Sequence, residues 1–177
     1  MLLNASDSTL LIVDMQSRLM PVIHDGDSVL ARAGTLARAA RLLDVPVVAT
    51  EHHGKMLGPT VEPLSASVQA TFQKMHFSSV REPGFEAWLP PARKTVLVAG
   101  CEAHICVLQT VLGLVGLGLR AVLVADAAGS RRGSDHHAAL RRARAHGAEI
   151  VTSEMAIFEW MDTCEHPRFR EVLRLVK

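Results

Sequence analysis

The sequence predicts an α/β fold of three layers, with helices on both faces of a central, mostly parallel sheet of Rossmann-type topology. Three observations predict it. Strand-like and helix-like segments alternate along the chain. The strand-like runs, Thr9-Leu-Leu-Ile-Val-Asp14, Thr95-Val-Leu-Val-Ala99 and Ala121-Val-Leu-Val-Ala-Asp126, are continuously apolar, as in strands buried on both faces. The 177 residues suit one domain, 1–177, with no linker, repeat or low-complexity stretch. Right-handed crossovers then set ligands at the carboxyl ends of the strands.

Each element follows from a local pattern. Thr9–Asp14 reads as the first strand. Ser28–Leu43 reads as a helix capped by Asp27 or Ser28, because Val29, Ala33, Leu36, Ala40 and Leu43 recur at helical spacing. Val45–Thr50 is the second strand. Residues 52–69 carry Gly54, Gly58, Pro59 and Pro63 and read as irregular. Phe72–His76 is a short extended piece and Gly84–Leu89 a short helix. Thr95–Ala99 leads into an apolar helix over Ile105–Leu119. Ala121–Asp126 is the next strand. Ser134 caps a helix that runs to His146, and Gly147 stops it. Glu149–Thr152 is a last short strand, and a terminal helix follows Pro167.

Composition narrows the function classes. Apolar residues make up 49% and charged residues 21%, as in a soluble globular protein. A net charge of +1 argues against a nucleic acid or an acidic membrane as partner. The arginines of 131–132 and 141–144 read as solvated helix face. The start of the chain lacks a basic segment and a cleavage site, so no secretory signal is expected. Ile105–Leu119 is too short to span a bilayer, and Gln109, Thr110 and glycines interrupt it. Three cysteines without a C-x-x-C pair imply neither a disulfide framework nor a cysteine zinc site, and point to a reducing cytoplasm.

Chemistry gathers at the strand ends. Asp14 closes the first strand, where a carboxylate is costly without partners. Lys74 sits among apolar neighbours in Phe72-Gln-Lys-Met-His-Phe77. Cys106 lies in the turn that opens the apolar helix. The helix dipole there is expected to lower the thiol pKa, and nearby backbone N–H groups to stabilise an oxyanion. Each residue alone has an ordinary reading: a turn residue, an exposed lysine with a buried stem, a core cysteine. Their weight lies in meeting at one edge of one sheet.

These residues carry a resemblance. Asp14 in Leu11-Ile-Val-Asp-Met-Gln16, Lys74 after the loop, and Gly100-Cys-Glu-Ala-His-Ile-Cys-Val107 resemble the isochorismatase-like cysteine hydrolases, over nearly the whole chain and in matching order. Thr50-Glu-His-His-Gly-Lys-Met-Leu-Gly-Pro-Thr-Val61, Thr152-Ser-Glu-Met-Ala-Ile-Phe158 and His166-Pro-Arg-Phe169 are similar to the isochorismatase domain-containing subgroup. The resemblance implies a triad of Asp14 as general base, Lys74 favouring the thiolate, and Cys106 as nucleophile. It implies an oxyanion hole of the Glu102 and Cys106 N–H groups, a thioester intermediate, a cis peptide between Cys101 and Glu102, and a homo-oligomer. The expected substrate is a small-molecule amide or related C–N bond.

There are departures and competing readings. Some relatives hold a metal on an aspartate and two histidines after the second strand. Here Glu51-His-His-Gly-Lys55 and His76 stand in that region without the aspartate, so neither metal nor cofactor is expected. His136–His137 do not converge either. His104 is a weaker base candidate, and Cys101 a weaker redox partner for Cys106. Met20, His53, Met56, His76, Phe77 and Trp160 are candidates to line the pocket. True isochorismatases cleave a vinyl ether without needing the cysteine, so Cys106 counts against that activity. A nucleotide-binding module needs G-x-G-x-x-G after the first strand, where Asp14-Met-Gln-Ser-Arg-Leu19 has no glycine. A non-catalytic or redox-sensing protein on the same scaffold is the remaining alternative.

Overall fold

Side-chain alternation along two central strands divides the apolar core. The computed structural model describes residues 1–177. On β1 (Ser8–Val13), Leu10 and Ile12 enter one apolar layer, Leu11 and Val13 the other. Each fully buried aliphatic side chain contributes about 1.5–3 kcal/mol. The other strands are β2 (Val47–His52), β3 (Ala70–Lys74), β4 (Thr95–Cys101), β5 (Arg120–Gly129) and β6 (Glu149–Val151), in the order β3-β2-β1-β4-β5-β6. Every pairing is parallel, so the sheet is parallel throughout.

Helices cover both faces. Helix α1 (Gly26–Leu42) has only a one-turn helix after it, α2 (Gly54–Leu57), before α3 (Phe85–Trp88), α4 (Leu108–Gly116), α5 (Gly133–Ala145), α6 (Ser153–Met161) and α7 (Phe169–Val176). Helices α6 and α7 pack on α1, while α5 packs on α4. No helix is long and apolar enough to cross a membrane.

Several boundaries differ from the sequence reading, each for a local reason. Strand β2 starts after Pro46, whose ring removes a ladder donor, and extends to His52. Helix α1 starts at Gly26 with Asp25 in the capping position at φ 52°, and no side chain caps it. The entry is set instead by the His24 N–H donating to Ser130 O at 3.0 Å. Helix α5 starts at Gly133 after Arg132, which leaves Ser134 inside the first turn rather than at the cap. Its stop at Gly147, φ 93°, agrees with the sequence. Helix α6 was not legible. Its start is held by Asp126, whose carboxylate accepts the Ser153 N–H and hydroxyl, each at 2.7 Å. The cysteine turn, Ala103–Val107, is π-helical before α4 begins, and α4 ends before Leu119.

One close approach shapes the carboxyl edge. Val13 of β1 faces Gly100 of β4. Gly100 has φ 129°, and a Cβ there would lie 2.0 Å from the Val13 carbonyl oxygen. Only glycine lets the two backbones run this close. The segments that follow them carry Asp14 and Cys106.

Candidate active site

Asp14 is the first residue beyond β1, at φ 51°, a left-handed conformation that aspartate tolerates better than most residues. Its N–H donates to Thr50 O at 3.1 Å. Its carboxylate accepts the Thr50 hydroxyl at 2.8 Å and the Lys74 Nζ at 2.6 Å. Strand order explains the meeting: β2 lies between β1 and β3, so Thr50 sits between the aspartate and the lysine. Lys74 Nζ also donates to His76 O at 3.2 Å and Phe77 O at 3.0 Å. An ammonium has three N–H groups, and all are used. Both side chains are 0% exposed. A buried ion pair persists only when such hydrogen bonds offset desolvation.

Cys106 sits in the π-helical turn, 7% exposed, in the apolar layer that holds Val13 and Val48. Its thiol is pushed up to about 12, first by burial, then by the Asp14 charge, with Lys74 pulling the other way. The lowered pKa expected from the helix start is therefore corrected. The N–H groups of Ile105 and Val107 are already donated to Glu102 O, at 3.0 and 3.2 Å, so the turn offers the sulfur little positive field. Burial and the neighbouring carboxylate outweigh what remains.

The Cys101–Glu102 peptide is cis. The Glu102 N–H donates to no group of the protein. The Glu102 carboxylate accepts the Arg131 N–H at 3.0 Å and its Nε at 2.9 Å, which ties the nucleophile segment to the loop after β5. His104 is turned to the same loop. Its Nδ1 is 3.0 Å from Ser130 Oγ and its Nε2 4.0 Å from Asp135. Its Nδ1 is thus engaged by Ser130 rather than by Cys106. Cys101 faces the other layer, its Sγ 3.8 Å from Met20 Sδ, and all the cysteines are free.

The guessed pocket residues divide. Trp160 and Met20 are buried in the α1-side core, in the apolar layer opposite that of Cys106. Met56 and Phe77 are exposed, and both lie on segments that follow strands of the site. His76 Nδ1 is 2.8 Å from Glu82. No three His, Cys, Asp or Glu side chains converge as metal ligands, so the residues after β2 do not fit the metal that some relatives hold. A cleft of about 430 Å³ between the starts of α1 and α5, with Arg32 and Ser130 in its wall, includes none of Asp14, Lys74 and Cys106. Sequence reasoning missed Thr50, Gln16 and Arg131. Thr50 stood out only as a hydroxyl closing an apolar run. Gln16 and Arg131 gave no signal, because their partners are distant in sequence.

Residues 8–155 match the isochorismatase domain model. The chain is similar to isochorismatase domain-containing protein 2 of Bos taurus, 38% identical over 170 residues, covering 96% of this chain and 83% of that one. A solved structure described as the MAR1 ribonuclease from Caenorhabditis elegans is 34% identical with a TM-score of 0.93, covering 99% of this chain and 92% of that one. The YcaC gene product of Escherichia coli, described as an octameric hydrolase of unknown specificity, shares the fold at a TM-score of 0.88 and 20% identity, covering 98% and 95% of the two chains.

Proposed function

The chain belongs to the isochorismatase family, and from that premise we propose that it is a cysteine hydrolase that cleaves a small amide or related C–N bond with Asp14, Lys74 and Cys106. One observation carries the reading. A fully buried Lys74–Asp14 pair and the buried thiol of Cys106 lie at the carboxyl edge of one parallel sheet.

The roles follow from the residues. As Cys106 Sγ attacks the carbonyl carbon, Asp14 takes the thiol proton. Lys74, 2.6 Å from the Asp14 carboxylate, holds it in place. The Glu102 and Cys106 N–H groups stabilise the oxyanion. The tetrahedral adduct collapses, the proton passes from Asp14 to the leaving nitrogen, and the amine departs. A thioester remains on Cys106. Asp14 then takes a proton from water, whose oxygen attacks the thioester, and the acid leaves as the thiol is restored. No step uses a metal.

The ribonuclease name of the Caenorhabditis elegans relative supports a second reading. Phosphodiester cleavage calls for cations free to face the phosphate, and Lys74 is fully committed to protein acceptors. The carbonyl reading is therefore preferred. A panel of small primary amides and ureas, with RNA as a parallel substrate, tests both. Chelator-treated enzyme should turn over an amide and show an acyl mass on Cys106, and Cys106→Ala should lose both. An alanine variant that turns over at the normal rate, or cleavage of RNA alone, overturns the amidase reading.

A further inference from the structure

Two tethers join the turn that carries Cys106 to the loop after β5. Strand pairing sets Cys101 beside Gly129, so Glu102 and Ser130 leave the sheet as neighbours. His104 Nδ1 lies 3.0 Å from Ser130 Oγ. The Glu102 carboxylate accepts the Arg131 backbone N–H at 3.0 Å, and Arg131 Nε lies 2.9 and 3.2 Å from its two oxygens. The loop is itself anchored, because Ser130 O accepts the His24 N–H at 3.0 Å.

The pair is unequal in its surroundings. The Glu102 side chain is 8% exposed and that of Arg131 57% exposed. A carboxylate so nearly buried needs hydrogen bonds and an opposite charge to stay in place. Arg131 supplies both, and it is the one ion-pair partner of Glu102. A cation this exposed adds little to overall stability. Its effect is local, on where Glu102 sits.

That location matters for the chemistry. The Glu102 carbonyl accepts the N–H groups of Ile105 at 3.0 Å and Val107 at 3.2 Å, the residues on either side of Cys106. The Glu102 N–H donates to no group of the protein and is one of the two proposed oxyanion donors. One residue therefore grips both neighbours of the nucleophile and presents a donor to the reacting oxygen. An oxyanion donor helps only when it is already aimed at the place where charge develops, and its aim depends on the groups that hold it.

We infer that Arg131 is a positioning residue for the cleavage step: by holding the Glu102 carboxylate, it fixes the Glu102 N–H where the oxyanion forms, together with the turn that carries Cys106. This rests on the amidase reading above and adds to it a residue that acts through Glu102. The loop after β5 thereby becomes part of the catalytic support.

The test uses Arg131→Met, which keeps the backbone bond to Glu102 and removes only the guanidinium, and Arg131→Lys, which keeps a charge. Melting curves check that each folds, and Arg131→Gln replaces Arg131→Met if that variant does not. On the best primary amide of the panel above, Arg131→Met should lower kcat about ten- to hundredfold with KM within about twofold, the effect of a slightly misplaced catalytic group. Arg131→Lys should recover part of the loss. The second readout is protection of Cys106 by acetaldehyde against iodoacetamide, followed by mass spectrometry. Sulfur bonds to the aldehyde carbon, the thiol proton passes to the aldehyde oxygen, and that oxygen occupies the oxyanion position. The acetaldehyde concentration giving half protection should rise about tenfold or more in Arg131→Met, and less in Arg131→Lys. An unchanged kcat with unchanged protection overturns the inference and leaves the amidase reading intact, as does a defect confined to KM. If wild type hydrolyses no amide, that reading fails and protection alone decides. Equal protection in wild type and Arg131→Met, or none in wild type, then overturns the inference.

Discussion

In the proposed mechanism the Cys106 proton stays on sulfur until a carbonyl arrives. Burial and Asp14 hold the thiol at about 12, against 9.0 for an ordinary cysteine. The folded pKa is raised, so the stability lent by the neutral thiol is complete below about pH 9 and fades as pH climbs toward 12. Iodoacetamide labelling of wild type should therefore be slow at neutral pH and rise only in the alkaline range. Asp14→Asn removes the charge that raises the thiol. Its labelling profile should move to lower pH while turnover falls about 10²–10⁴-fold through loss of the base. A profile that does not move would separate Asp14 from the thiol. Lys74→Met strands a buried carboxylate and should cost about 3–5 kcal/mol in denaturant unfolding. Adding Asp14→Asn to Lys74→Met should recover much of that loss, and additive losses would contradict the pairing.

At the level of elements, the central strands were legible because Leu10–Val13, Val96–Ala99 and Ala121–Val124 are apolar on both faces. Helix starts were less legible. Asp25 and Arg132 hold capping positions without a side-chain cap, and the entry to α1 is set by a contact with Ser130 that no local pattern encodes. The positions of Asp14, Lys74 and Cys106 at strand ends were readable, but the protonation of Cys106 was not. It depends on burial and on a carboxylate brought in by sheet order. Gly100 gives the sharpest prediction for an element. Gly100→Ala drives a methyl into the Val13 carbonyl at a φ that alanine avoids. It should destabilise by about 3 kcal/mol or more. That is roughly a 6–12 °C fall in Tm for a chain of this size. A melting curve within 2 °C of wild type would show that the strands can part at little cost.

Across the whole molecule, exposed apolar side chains gather on segments that follow β1, β2 and β3. Val22, Met56, Met75 and Phe77 are each more than half exposed. Exposed apolar groupings mark association surfaces, and the Escherichia coli neighbour is described as octameric. We expect a homo-oligomer, and light scattering at micromolar concentration that reports a monomer would contradict it. The complete use of the Lys74 ammonium has a further consequence, for ionic strength. Mobile ions screen charges they can approach, over about 10 Å at 0.1 M salt and about 3 Å at 1 M. They can approach the surface pair Arg168–Glu171. They cannot reach a 0% exposed pair whose donors all end on protein oxygens. On the amidase reading, turnover of a neutral amide should therefore hold within about twofold from low salt to 1 M sodium chloride, although the proposed chemistry depends on charge.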